Sequence, residues 1–248
     1  MNPAEFGFLA AAEERMWWFR GMREILFALL DPLAGGTRWG RVLEAGCGTG
    51  ANARALGARY GWAITAVDLA AEGLAHARRA GTPGLVQANA AALPFAAESF
   101  DLVLCLDVLA HFERGDERAA LGEFARVLRP GGWVVVRCSA LDGLRSRHSE
   151  FVEERQRFTR GRLEESLRAS GFVVRRATYA NSLLLPVAWA KFRLWEPMTQ
   201  ARPESGVQMP AAVLNRALTA PLALEAAVIR RGLNWPLGQT VIALAQRV

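Results

Sequence analysis

One lysine, three histidines, three cysteines and two tyrosines in 248 residues set the first limits on this chain. The lysine is Lys191, so the surplus of 30 basic over 24 acidic residues rests almost wholly on arginine. Those arginines are spread through the sequence beside abundant alanine, as a coding-composition bias would leave them. A nucleic-acid partner is therefore disfavoured despite the net charge of +6. Cys47, Cys105 and Cys138 have neither metal-ligand spacing nor an even-numbered disulfide framework, which fits a reducing cytoplasm. Long apolar runs are also missing. The greasiest stretch, Leu183 to Ala190, is broken by Pro186 and ended by Lys191, so no transmembrane segment is expected. Glu5, Glu13 and Glu14 precede any basic cluster near the N-terminus, and no signal peptide is expected there.

What remains is an ordinary globular composition, 52% hydrophobic and 22% charged. Apolar residues from Phe6 to Leu29 recur at helical spacing and predict one N-terminal helix over residues 3 to 30, stopped by Asp31-Pro32. Strands then alternate with helices. Strands are predicted over Val42–Ala45, Ala63–Val67, Leu85–Gln87, Phe100–Leu106, Trp133–Cys138, Phe172–Thr178 and Gln239–Gln246. Helices fill the gaps over Ala51–Tyr60, Ala71–Ala80, Glu117–Leu128 and Arg162–Ser170, the last capped by Thr159, while Leu141–Gln156 reads as irregular. This pattern gives an α/β, Rossmann-like, doubly wound and mostly parallel seven-stranded sheet. Residues 1–40 form a helical cap, 41–179 with 237–248 the sheet domain, and 180–236 a helical insertion between strands 6 and 7. Within the insertion, Trp189, Lys191, Arg193 and Trp195 beside Leu184 and Leu185 make either an interfacial face or a packed helix.

The chemistry centres on Gly46-x-Gly48-x-Gly50 between strand 1 and the next helix. Glycines let the backbone turn tightly and approach a ligand, and the helix start presents unpaired N–H groups. Glu44 just before the loop suits a cationic ligand better than a pyrophosphate. Asp68 at the tip of strand 2 is placed to accept hydrogen bonds from ribose hydroxyls. His111, shortly after strand 4, is either a general base or a histidine anchoring its loop. The segment Trp17-Trp18-Phe19-Arg20-Gly21 either packs on the sheet or closes over the ligand, with Trp17, Trp18 and Phe19 covering it, Arg20 or Arg23 meeting an anionic group, and Trp17 and Arg20 the leading contacts.

Four ordered motifs carry a family resemblance: Val42-Leu-Glu-Ala-Gly-Cys-Gly-Thr-Gly50, Ala66-Val-Asp-Leu69, the stretch Ala92 to His111, and Val127-Leu-Arg-Pro-Gly-Gly132. Together they resemble the class I S-adenosylmethionine-dependent methyltransferases over residues 41 to 139. The Trp17–Gly21 segment looks like the N-terminal helix of one bacterial branch. The resemblance implies S-adenosylmethionine as cofactor, with its methionine moiety at Gly46, Gly48 and Gly50, its ribose at Asp68 and its adenine against Leu69. Asn89 with Ala90 would meet the adenine amino group, where the family usually has an acidic residue. The backbone around Leu106 and Asp107 would face the methionine part and the departing methyl group. The expected acceptor is a small or lipid-like molecule, methylated by in-line displacement without a metal. A peripheral membrane contact is compatible with this reading, and a non-catalytic binder or an RNA methyltransferase are the alternatives.

Overall fold

The computed structural model describes residues 1–36, 39–199 and 202–248. Its frame is a seven-stranded sheet of β1 (Arg41–Ala45), β2 (Ala63–Asp68), β3 (Leu85–Gln87), β4 (Phe100–Leu106), β5 (Leu128–Ser139), β6 (Phe172–Ala180) and β7 (Thr240–Arg247), in the spatial order β3-β2-β1-β4-β5-β7-β6. Strand β7 runs antiparallel to both its neighbours, β5 and β6, and the other strand pairings among the described residues are parallel. Every residue of β4 is buried, as expected of a strand covered on both faces. The strand order reverses between β1 and β4, so a crevice opens beyond their carboxyl ends, where ligands of such sheets bind.

One face of the sheet is covered by α5 (Glu117–Val127) and α7 (Arg160–Ala169), whose Leu121, Phe124, Leu163 and Leu167 are buried with Phe158. The other face lies under α2 (Trp17–Ala34), α3 (Ala51–Tyr60) and α10 (Ala212–Arg230), with Met22, Ile25, Leu56, Leu222 and Ile229 in the core. Helix α4 (Ala71–Arg79) flanks β2 and β3. Burial of eighteen apolar side chains of valine size or larger on each face, at roughly 1.5–3 kcal/mol apiece, is what holds the layers together.

The N-terminal region differs from the single helix expected. It is split into α1 (Glu5–Ala12) and α2, because Met16 is extended and serves as the N-cap of α2. Asn215 of α10 stabilises the break: its Oδ1 accepts the Trp17 N–H at 2.8 Å and its amide donates to the Arg15 carbonyl at 2.9 Å. Asp31-Pro32 does not stop α2, which runs on to Ala34. Pro32 lies in the last turn, so its missing N–H leaves a single carbonyl, that of Ala28, without its helical partner. Strand β5 begins at Leu128, earlier than expected, because Leu128 pairs with Phe100 before residues 129–132 loop out and Trp133 resumes pairing with Leu102. The stretch expected to be irregular contains α6 (Arg147–Phe151), started by a Ser146–Ser149 capping box. Thr159 caps α7 as expected, its hydroxyl accepting the Arg162 N–H.

The insertion comprises α8 (Leu185–Ala190), a π-helical turn over Lys191–Trp195, the single turn α9 (Glu196–Met198) and α10. Helices α2 and α10 run side by side in the same direction, with Trp17 beside Asn215, Gly21 against Leu222 and Asp31 near Arg230. A Cβ at Gly21 would overlap Leu222, so glycine there permits the close approach. By length and composition α10 is, among the described residues, the one helix that could cross a membrane, yet Leu222, Glu225, Ala226 and Ile229 are buried against the domain.

Candidate functional site

At the end of β1 the chain turns sharply, with Gly46, Gly48 and Gly50 all at positive φ (85°, 53° and 78°). Side chains at Gly46 and Gly50 would overlap Val108 and Thr82, so these two are glycine for packing. Only Gly48 faces open room, its nearest neighbour being Phe6 Cε1 at 3.9 Å from an added Cβ. The Gly46 and Cys47 N–H groups donate to the Val67 carbonyl at 2.7 and 2.8 Å and fix the loop to β2. Asp68 completes the clamp. Its two carboxylate oxygens accept from the N–H groups of Gly48 at 2.7 Å and Ala70 at 2.8 Å, each retaining acceptor capacity for a hydroxyl. Leu69 beside it is 66% exposed and offers a flat apolar surface. Across the opening, Ala90 is buried, while exposed Asn89 turns its Oδ1 to the Ala91 N–H at 2.9 Å.

Glu44 lies under the loop, 1% exposed, with Asn52 and the Ala53 backbone nearby and no hydrogen-bond partner for its Oε2. Burial pushes its carboxyl up to about 8, opposed by the Arg137 guanidinium and reinforced by Asp68. A buried carboxyl with an unsatisfied oxygen has a place for a donor, and the ammonium of an amino-acid moiety would supply one. Leu106 is buried at the end of β4. The next residue, Asp107, sits at φ 65° and receives the Arg137 Nε and Nη2 at 2.9 and 2.6 Å.

Arg137 is the residue that sequence reasoning missed. It is buried on β5, its guanidinium 5.5 Å from the Trp18 ring. A charged side chain inside the apolar run Trp133-Val-Val-Val was the available signal. Of the aromatics expected to close over the ligand, Trp18 is the one that stands over Arg137. Trp17 is half-buried beneath the Asn215 cap, and Arg20 is exposed with no ion pair among the described residues. Nearby, Arg23 donates to the Glu13 carbonyl at 2.8 Å.

The roof comes from α1. Phe6 is buried against Gly48 and Gly73, while the Glu13 carboxylate accepts the Thr49 hydroxyl and lies 3.8 Å from Arg54. Glu5 is buried with neither oxygen in a hydrogen bond of good geometry, the Ser205 hydroxyl being near enough to favour its charged form. Burial holds its carboxyl above the usual range. His111 is half-buried in a short turn over Leu109–His111, its Nδ1 3.4 Å from the Glu153 carbonyl. Burial and the nearby N-terminal ammonium lower its pKa. A carbonyl can only accept, so the proton belongs on Nδ1 and the Nε2 lone pair is left free. His148 of α6 accepts the Gly206 N–H at 3.0 Å and is likewise held neutral by burial.

A methyltransferase-domain family model matches residues 43–136. The match spans the glycine loop, Asp68, the turn after β4 and most of β5. The match coincides with the region whose motifs resemble the class I S-adenosylmethionine-dependent methyltransferases. Two curated relatives are the ubiquinone biosynthesis O-methyltransferase of Paracidovorax citrulli, 36% identical over 54% of this chain and 60% of the relative, and the O-methyltransferase resE of Aspergillus sclerotiorum, 31% identical over 59% and 60%. The matches thus span less than two thirds of these relatives. The fold is shared with a SAM-dependent methyltransferase from Archaeoglobus fulgidus, at a TM-score of 0.58 and 17% identity over 92% of this chain and 94% of that one. The unpaired Glu44 oxygen, open Gly48 and exposed Leu69 fit the S-adenosylmethionine that the sequence motifs imply.

Proposed function

We propose that this protein methylates a hydroxyl oxygen of a small or lipid-like acceptor, with His111 as the general base. The observation that carries the reading is the His111 imidazole, neutral by burial, with Nδ1 directed at a carbonyl and Nε2 free beside the turn that follows β4. The O-methyltransferase names of both curated relatives support oxygen as the target, and the first relative's name supports a lipid-like acceptor.

When bound, the cofactor supplies an activated methyl group on a sulfonium, which transfers by in-line displacement. The protein's task is then alignment, deprotonation and exclusion of water. Glu44 and the Gly48 backbone would hold the amino-acid end, Asp68 would accept from the ribose, Leu69 would pack on the base, and Asn89 with Ala90 would line its edge. Leu106, buried at the end of β4, would face the methyl-donating end of the cofactor. His111 Nε2 accepts the hydroxyl proton as the oxygen attacks. Helix α1, held down through Phe6 and Glu13, excludes water from above. No step requires a metal.

The test is S-adenosylhomocysteine release against a panel of phenols and catechols with and without isoprenoid tails, before and after chelator treatment. Turnover of a hydroxylated acceptor, unaffected by chelation, is expected. His111→Ala should lose roughly 100- to 10,000-fold in kcat with cofactor affinity preserved. Full kcat in that variant would remove His111 from the mechanism, and cofactor binding without turnover of any acceptor would favour a non-catalytic protein.

A further inference from the structure

We propose that the outer face of the α8–α9 segment is a docking surface for an anionic lipid bilayer. This inference does not rest on the methyl-transfer reading; it rests on how the insertion is exposed. In a helix that serves a soluble core, apolar side chains turn inward, but here the reverse holds. No residue from Lys191 to Met198 is buried. Val187, Leu194, Trp195 and Met198 fall at i, i+7, i+8 and i+11, the spacing of one helix face, and they are 63%, 54%, 65% and 81% exposed. Apolar side chains scattered singly need no explanation, whereas a contiguous stripe does.

The charges beside the stripe say what covers it. Lys191 and Arg193 stand exposed within the same turns. The single carboxylate of the segment, Glu196, is turned away into a hydrogen bond from the Arg147 N–H at 3.0 Å. The two fully exposed charges of the segment are therefore both positive. Tryptophan at the margin, a narrow apolar face and flanking cations are the features of a helix lying in the plane of a lipid interface. Behind the stripe, a groove of about 560 Å³ is lined by Leu144, Leu185, Trp189 and Leu237, with Arg193 at its edge. An acyl chain below an anionic headgroup matches that arrangement of apolar walls and one cation.

The experiment is sedimentation of the full-length protein with vesicles of phosphatidylcholine alone and of phosphatidylcholine mixed equally with phosphatidylglycerol, with tryptophan emission read in parallel. Binding to the mixed vesicles, a blue shift of emission and loss of binding at high salt are expected. Leu194→Ser combined with Met198→Ser should weaken binding at least tenfold. Lys191→Gln should weaken it roughly fivefold at low salt. Thermal unfolding and S-adenosylhomocysteine affinity should not move in either variant, since these side chains are exposed. Absence of binding to mixed vesicles, or binding indifferent to both variants, would overturn the proposal. So would a dimer in solution that the double variant dissociates, because the face would then belong to a second copy.

Discussion

Replacing Glu44 with glutamine is the most direct probe of the cofactor site, because the group's burial fixes the sign and scale of the effect. In the folded protein without ligand its carboxyl titrates at about 8, against 4.5 when exposed. At about 1.4 kcal/mol per pH unit, ionising it in place costs at most roughly 5 kcal/mol. Between those two values the folded state keeps a proton that the unfolded state has released. Stability should accordingly fall as pH rises from 4.5 to about 8 and level off above it. Glu44→Gln removes that part of the slope. The same proton couples to binding: an ammonium brought against Glu44 favours the carboxylate, so binding near pH 7 should release close to one proton. Isothermal titration with S-adenosylhomocysteine in two buffers of different ionisation heat counts that proton. The wild type should release it at pH 7 and not at pH 9, whereas Glu44→Gln should release none and bind at least tenfold more weakly, having lost a buried charge partner. Equal proton release by the two proteins would refute the assignment of Glu44 to the cofactor's ammonium.

Other perturbations test the remaining links. A base of lowered pKa loses its free lone pair only in acid, so kcat/KM should fall as pH drops below about 6.5, and His111→Gln should abolish that limb of the profile. Gly21→Ala should destabilise the fold by about 1–3 kcal/mol, because the new methyl overlaps Leu222, and Leu222→Ala in the same chain should restore part of the loss in chemical denaturation. Asn215→Ala leaves the Trp17 N–H and the Arg15 carbonyl without their partner, and should cost about 1–2 kcal/mol by the same measurement.

The parallel half of the sheet was legible because each strand there is a short apolar run bounded by glycine, proline or a charged tip. Helix α3 and strands β3 and β4 begin and end where their patterns do. The glycine loop was legible for a related reason, since positive φ leaves its mark on residue type. Its three glycines are nonetheless not equivalent: two are dictated by Val108 and Thr82, distant in sequence and near in space. Side-chain partners of that kind leave no periodic trace. The break between α1 and α2 was hidden for the same reason, because its cap is Asn215, almost two hundred residues away, and helical periodicity continues across Glu13 to Met16. The Trp17–Gly21 segment showed that aromatic and cationic groups gather there, but not which of them turns inward. The fold answers with Trp18 over Arg137 and leaves Arg20 outside.

These distant partners give the helical insertion a bearing on the cofactor site that its position in sequence conceals. Helix α10 supplies the N-terminal cap of α2 and, through Leu222, the surface against which Gly21 packs. Helix α2 carries Trp18, whose ring lies over the guanidinium of Arg137. Arg137 in turn grips Asp107, held at positive φ at the end of β4, and lowers the cost of charge on Glu44 beneath the glycine loop. Each contact in this series is buried or half-buried, so a displacement at one end has few ways to be absorbed before the other. Helix α1 stands outside the series. Eight residues are too few to hold a helix on their own, and it keeps its place through Phe6 against Gly48 and Glu13 on Thr49. The two halves of the N-terminal cap therefore answer to different parts of the chain: α2 to the insertion, and α1 to the cofactor loop itself.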